Sequence, residues 1–337
     1  MKQKIVVTGG LGYIGSHTAV ALQEAGFDVI ILDDLSNSEL FVLDRITQIT
    51  GMKPDFHQID LKDEKLVHQF FSKNKIDGVI HFAAYKAVGE SVEKPLMYFK
   101  NNILGLLNVL EAMKENGNDN FIFSSSCTVY GQADKMPIDE SAPIKKAESP
   151  YAKTKQMGEE ILEDFVASSD KKVISLRYFN PVGAHPSALI GELPKGIPNN
   201  LVPFVTQTAA GIRNYLSIFG SDYPTRDGTA IRDYIYVCDL ADAHVKALKR
   251  LLEKKNNKSL EVFNLGTGVG STVLEVVQTF EKINQLKLNY KLADRRVGDI
   301  IEAFADNSFA EKELGWKPRT PLDESLRTAW EWQKGLK

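Results

Sequence analysis

Cysteine is nearly missing from this chain. Cys127 and Cys238 are the only two among 337 residues, which excludes a disulfide framework and a paired-cysteine metal site. The histidines stand singly, with no pair at the helical spacing of metal ligands. No run approaches the roughly 18 consecutive apolar residues of a spanning helix, and no secretory-type leader precedes the first strand-like run. An excess of one charge is missing too. Lys and Arg number 41 against 44 Asp and Glu, a formal net charge of −3, so a nucleic acid is not an expected partner. Repeats and low-complexity tracts are also absent. The expectation is a water-soluble, cytoplasmic protein without a metal centre. Its hydrophobic fraction of 43% suits a substantial core in one large domain or two ordinary ones.

What is present alternates. Short β-branched runs (Ile5 to Val7, Val29 to Leu32, Val79 to Phe82, Phe121 to Phe123, Val173 to Leu176) are separated by segments of helical periodicity (Ile14 to Ala25, Glu64 to Phe71, Ile103 to Met113, Tyr151 to Val166). That rhythm predicts an α/β fold, a Rossmann-like doubly wound parallel sheet covered by helices on both faces. After about Tyr178, Pro181, Pro186, Pro194, Pro198 and Pro203 break the regular elements. A helix is expected over 200–210, a strand over 232–237, a helix over 240–252 capped by Asp239, and a strand over 261–265. Leu322, Leu326, Ala329 and Trp330 mark a last apolar helix face. The expected division is 1–180 for the sheet domain and 181–337 for a smaller mixed α/β domain, with elements around 235–265 free to rejoin the sheet.

The first strand runs into Gly9-Gly10-Leu11-Gly12-Tyr13-Ile14-Gly15 and then a helix. Glycines there permit a tight turn and close approach of backbone to a pyrophosphate, which the helix N-terminus attracts. No Lys-Ser/Thr follows the last glycine, so this is not an ATP-type P-loop. Asp33 ends the second strand and Asp34 follows. Acids here accept ribose hydroxyls and repel a 2′-phosphate, favouring NAD over NADP.

Tyr151 and Lys155 share one helical face at i and i+4. A free phenol has a pKa near 10, and lowering it by about 3 units requires about 4 kcal/mol. One unit charge at about 4 Å supplies a similar energy at an effective dielectric near 20. Tyr-x-x-x-Lys alone is common in helices. Here it follows a dinucleotide loop and the run Ser124-Ser125-Ser126, which leaves a strand at the sheet's carboxyl end, where ligands bind.

Together these residues resemble the extended short-chain dehydrogenase/reductase family, and within it the enzymes that epimerise UDP-hexoses at carbon 4. The likeness spans nearly the whole chain through Thr8–His17, Lys86–Ser91, Arg177–His185, Gly196–Leu201, Arg232–Ile235 and Asn264–Gly268. It implies bound NAD and reversible interconversion of UDP-glucose and UDP-galactose through a 4-keto sugar. Tyr151, Lys155 and Ser126 are then the catalytic residues. Gly9, Gly12, Tyr13, Ile14, Gly15, Asp33, Asp34, Leu35, Ser36, Asn37 and Ser38 would hold the adenosine and diphosphate side, with Asp60 and Leu61 flanking the adenine. Phe82, Ala83, Ala84, Tyr85, Lys86, Asn101 and Phe179 would line the nicotinamide half.

For the UDP-sugar, the resemblance implies Asn180, Asn200, Leu201, Ser217, Ile218, Phe219, Arg232, Tyr234, Arg296 and Asp299. Ala303 stands where strict hexose epimerases carry tyrosine, which raises UDP-N-acetylglucosamine and UDP-N-acetylgalactosamine as further substrates. The resemblance also implies a homodimer through the helices after Tyr98 and Tyr151. Two rival readings stay open. A nucleotide-sugar 4,6-dehydratase would carry an Asp-Glu pair where Cys127-Thr128 follow Ser126. A non-catalytic NAD-sensing protein would need neither Tyr151 nor Lys155.

Overall fold

The β-branched runs of the first half become strands of one parallel sheet. The computed structural model describes residues 2–296 and 299–336. Its strands β1 (Lys4–Thr8), β2 (Asp28–Asp33), β3 (Asp55–Gln58), β4 (Gly78–His81), β5 (Asn120–Ser124) and β6 (Lys172–Tyr178) alternate with helices. These are α1 (Tyr13–Glu24), α2 (Phe41–Thr50), α3 (Glu64–Lys73), α4 (Val88–Glu93), α5 (Pro95–Phe99), α6 (Gly105–Glu115) and α7 (Pro150–Ala167). A π-helical turn, Lys100–Leu104, joins α5 to α6, and a 3-10 turn, Cys127–Tyr130, follows β5.

The remaining chain forms β7 (Asn180–Val182), α8 (Leu201–Ala209), β8 (Leu216–Phe219), β9 (Ile231–Tyr236), α9 (Val237–Leu252), β10 (Leu260–Leu265), β11 (Gly270–Thr272), α10 (Val273–Asn284), β12 (Tyr290–Ala293), β13 (Glu302–Ala303), α11 (Ser308–Leu314) and α12 (Leu322–Gly335). The main sheet runs β10-β6-β5-β4-β1-β2-β3 with seven strands, all paired in parallel. The chain moves outward from β1 to β3 and then returns to β4 on the other side of β1. That reversal opens a crevice at the carboxyl ends of β1 and β4.

Strand alternation sorts the core into two layers. Ile5, Val7, Val29 and Ile31 face α1, α2 and α9 in one apolar cluster, whereas Val6, Ile30 and Leu32 face α3, α6 and α7 in another. β3 and α2 have no counterpart among the expected elements. β3 reads Asp-Phe-His-Gln at the sheet edge, part exposed, so no apolar run announces it. The Asp239 cap also needs correcting. α9 begins at Val237 with Tyr236 at its N-cap. Asp239 lies inside the first turn, where its carboxylate accepts the amides of Arg319 and Thr320 at 2.9 and 2.8 Å.

A second region packs above the crevice. β11, β9 and β13 form a small sheet joined by β7, and β12 pairs with β8. Val182, Val205, Leu216, Ile218, Val277, Phe280 and Leu326 make its core. β10 pairs with β6 in the main sheet, and α9 packs beside it. Asp233 ties the two regions together. Fully buried on β9, it accepts Thr267 N and Oγ1 at 2.8 and 2.6 Å, and Gly268 N and Ala305 N at 3.1 Å each.

Candidate active site

The turn from β1 to α1 can be built only from glycine at two points. Gly9 has φ +67°, and a Cβ there would lie 2.9 Å from Ala83 N. A Cβ on Gly15 would lie 2.2 Å from Gly9 O. Gly12 is the N-cap of α1 and makes no side-chain capping bond, so the first-turn amides at Tyr13 and Ile14 stand ready for an anion. The loop therefore fits a dinucleotide diphosphate. Tyr13 also bridges regions, donating its phenol to Gly183 O at 2.6 Å.

Asp33 does more than face a ribose. Its two oxygens already accept Leu11 N at 3.0 Å, Leu35 N at 3.0 Å and Ser38 Oγ at 2.6 Å, so the acid shapes the loop that would hold the adenosine. Leu35 sits at φ 62°, a conformation costly for a branched side chain and typical of ligand clamps. Asp34 holds Ser36 through its amide and hydroxyl at 2.9 and 2.6 Å, and Asn37 is exposed. Asp60 pairs with Lys62 at 2.8 Å. Leu61 is buried, and its carbonyl accepts Asn108 Nδ2 at 2.8 Å.

Sequence reasoning missed a strap across this end. Lys195 Nζ donates to Leu35 O and Ser36 O at 3.1 Å each. Three residues earlier, Glu192 pairs with Lys86 at 2.8 Å and accepts Asn200 Nδ2 at 2.7 Å. One carboxylate thus joins an expected cofactor residue to an expected substrate residue. Its only signal in the sequence is its place in the proline-rich segment.

At the carboxyl end of β4, Phe82, Ala83, Ala84 and Tyr85 are partly exposed. Tyr85 N donates to Asn102 Oδ1 at 2.8 Å, and Asn102 Nδ2 reaches Thr154 Oγ1 at 3.0 Å. Asn101 Oδ1 accepts Lys62 Nζ at 3.0 Å. Phe179 is buried, with its amide on Leu265 O at 3.2 Å.

Ser149 caps α7, accepting Ala152 N at 3.1 Å with Pro150 in the first turn. This start sets Tyr151 and Lys155 against the exit of β5. Lys155 Nζ donates to Ser124 O at 2.6 Å and lies 6.0 Å from the Tyr151 ring centre. Ser126 is buried on extended backbone, and Thr128 Oγ1 donates to it at 3.0 Å. Burial pushes the Tyr151 phenol up, Tyr178 adds to the rise, and the Ser126 hydroxyl works against it. Burial lowers Lys155 to about 8, opposed by Glu159. Burial thus favours the neutral phenol of Tyr151. Cys127 is pushed up to about 12 by burial and is no nucleophile.

On the facing side, Arg232 Nη2 and Arg296 Nε flank Asp299 at 3.8 and 3.5 Å, and the Arg296 guanidinium lies 4.7 Å over the Phe219 ring. Neighbouring Arg295 turns away to Asp222 and Tyr223. Alternation along β8 divides three expected contacts. Ser217 and Phe219 face outward, but the Ile218 side chain is fully buried in the upper core, which leaves only its main chain for a ligand. Tyr234 and Leu201 likewise pack into that core. Asn180 pairs in register with Tyr234. Ala303 lies opposite Arg232 and packs with Val129, Tyr130 and Phe179. Among the described residues no cluster could hold a metal ion.

The family model described as GDP-mannose 4,6 dehydratase matches residues 6–329. The UDP-glucose 4-epimerase of Bacillus subtilis is 50% identical over 330 residues, covering 98% of this chain and 96% of its own. A UDP-glucose 4-epimerase structure from Stenotrophomonas maltophila, with bound NAD and formylated UDP-arabinopyranose, superposes with a TM-score of 0.96 at 47% identity over 99% of this chain and 98% of its own. The Bifidobacterium longum enzyme in complex with NAD+ and UDP gives 0.95 at 44% identity, with the same coverage.

Proposed function

The chain belongs to the UDP-glucose 4-epimerases, within the wider family that the dehydratase model describes, and on that premise we propose how its residues perform the reaction. The enzyme interconverts UDP-glucose and UDP-galactose at sugar carbon 4, using NAD. The observation that carries the residue assignment is the contact of Lys155, Tyr151 and the serine run at the carboxyl end of β5.

Bound NAD supplies the acceptor and donor of the hydride at carbon 4, and its positive ring supplies the cation that the phenol lacks. Tyr151 removes the proton of the sugar 4-hydroxyl, and Ser126 orients that hydroxyl. Lys155 steadies the resulting negative charge. The 4-keto sugar then turns about its bonds to the diphosphate, and Tyr151 returns the proton when the other face is reduced. Arg232 and Arg296 keep the nucleotide anchored during that turn, since a guanidinium fork suits a diphosphate. Asp299 holds both arginines aimed at one point. Cys127 and Thr128 stand where a dehydratase would need its acid pair, so elimination of water has no catalyst here.

Ala303 opposite Arg232 favours a second substrate pair. Alanine has less bulk than tyrosine, so we propose that the site admits an N-acetyl group on carbon 2, with the Ala303 methyl itself packed against Val129, Tyr130 and Phe179. Supplying UDP-galactose and UDP-N-acetylgalactosamine side by side and identifying the products tests both readings. Absence of UDP-glucose would sink the first, and absence of UDP-N-acetylglucosamine the second.

A homodimer is part of the reading. Leu106, Leu110 and Leu162 belong to the core, but Val88, Val92 (62% exposed), Leu96 (81%), Leu104 and Leu107 expose apolar side chains along the run from α4 to α6, which a second copy could cover. A monomer in sedimentation would remove this element. The two cysteines are unpaired, which suits the reducing cytoplasm.

A further inference from the structure

We infer that Glu159 is a positioning residue for the epimerisation: its carboxylate, backed by Arg177, clamps the serine run to α7 and holds the Lys155 ammonium beside Tyr151. This rests on the function proposed above and extends it to a residue that touches neither sugar nor cofactor.

Glu159 follows Lys155 by one helical turn and Tyr151 by two, so all three share a face of α7. All three are buried. Glu159 Oε1 accepts Ser125 Oγ at 2.6 Å, Ser175 Oγ at 2.8 Å and Arg177 Nε at 3.0 Å, while Oε2 accepts Arg177 Nη2 at 2.6 Å. Arg177 continues to Tyr130 OH at 3.0 Å, and that phenol donates to Asn264 Oδ1 at 2.7 Å. A lone buried carboxylate would be very costly, whereas one paired and fully hydrogen-bonded is rigid.

The three serines divide the work. Ser124 O accepts Lys155, its hydroxyl meets Tyr178, and Ser126 faces Tyr151. Ser125, between them, is held by Glu159. Ser125 also donates its amide to Leu176 O at 3.0 Å, so with its hydroxyl on Glu159 it is held at both ends, and anchoring it limits where its neighbours Ser124 and Ser126 can move. A slip of one residue would turn the wrong hydroxyl toward the sugar.

The carboxylate also acts through charge. Burial lowers Lys155 to about 8, and Glu159 is the one group raising it. The other ionisable neighbours do not replace it. His81 on β4 is held neutral by burial. Tyr98 on α5, Tyr130 and Cys127 on the turn, and Tyr178 on β6 are all raised and uncharged.

Glu159→Gln keeps the shape and removes the charge. Epimerisation of UDP-galactose by the NAD-loaded variant, followed across pH, should show the alkaline limb of kcat moved toward acid by a full pH unit. Turnover at pH about 8 should fall by about fivefold, with KM for UDP-galactose within about threefold of wild type. The sign follows because removing a nearby negative charge lets a lysine lose its proton at lower pH. Ser125→Ala leaves the ion pair intact and should lower kcat by ~10-fold with both limbs unmoved. An unmoved alkaline limb in Glu159→Gln would overturn the charge role, and wild-type kcat in Ser125→Ala would overturn the clamp. If Glu159→Gln does not fold, Glu159→Gln/Arg177→Met removes both charges and carries the same pH test. Inactivity of the wild type would strike the proposed function instead, so the two failures are distinguishable.

Discussion

The two halves of the active-site crevice are made of different material. The side proposed for NAD is mostly main chain: a glycine turn, helix-end amides and the loop folded around Asp33. The side proposed for UDP-sugar is mostly side chain, with Arg232, Phe219 and the Arg296–Asp299 pair drawn from three segments. Main-chain donors need no charged residue, so an anion can bind there in a chain with formal net charge −3. Side-chain donors must be held in place, and the shared contact of both arginines with Asp299 does that. One half depends on backbone shape, the other on the packing of distant segments.

The largest effect is expected where the halves meet. Tyr151→Phe should lower kcat by ~10³-fold while NAD content and UDP affinity stay at wild-type levels, because proton transfer is lost and neither grip is touched. Normal turnover would take Tyr151 out of the mechanism.

Next come paired changes that separate the halves. Gly15→Ala forces a Cβ against Gly9 O and should yield protein with little bound NAD that still binds UDP. Arg232→Ala should do the reverse, raising KM for the UDP-sugar by ~10- to 100-fold through loss of charged hydrogen bonds, with NAD content unchanged. If both variants lost both ligands, the halves would not be separable.

Acid should weaken the cofactor side. Burial lowers His17 and His81 to about 3 and His244 to about 4, and the three lie on α1, on β4 of the main sheet and on α9. Below pH about 6.5 the unfolded chain takes up protons that the folded chain refuses, so stability falls as pH falls toward those lowered values. At pH 5 the loss is on the order of 2 kcal/mol for each histidine. Urea titrations at pH 7 and pH 5 measure it, and His244→Gln should shrink the difference. The smallest effect is expected at the strap. Lys195→Ala removes two bonds to the adenosine loop and should speed NAD release by ~3- to 10-fold, read from NAD retained after gel filtration.

Much of this was legible beforehand because it is local. The glycine turn sits in one short stretch, and Tyr151 and Lys155 are one helical turn apart. β3 was not legible, because an edge strand exposed to water needs no apolar run. Asp239 carried a capping pattern, yet its carboxylate serves Arg319 and Thr320 from a distant segment. Arg295 and Arg296 are adjacent and chemically alike, and only their surroundings send one to Asp222 and the other to Asp299. Glu159 shared the face of Tyr151 and Lys155 in plain view. Its meaning needed Ser125 just past β5 and Ser175 and Arg177 on β6.

The sequence by itself determined the elements whose cause is short-ranged: strand and helix periodicity, the turn that only glycine can make, the acid closing β2, and the catalytic face of α7. These follow from backbone sterics and repeat geometry within a few residues. The tertiary structure decided which charges meet: the pairing of Glu159 with Arg177, the bridge from Lys86 through Glu192 to Asn200, and the approach of Arg232 to Asp299. Coulomb and hydrogen-bond energies depend on distance and burial, and those exist only once segments far apart in the chain have packed together.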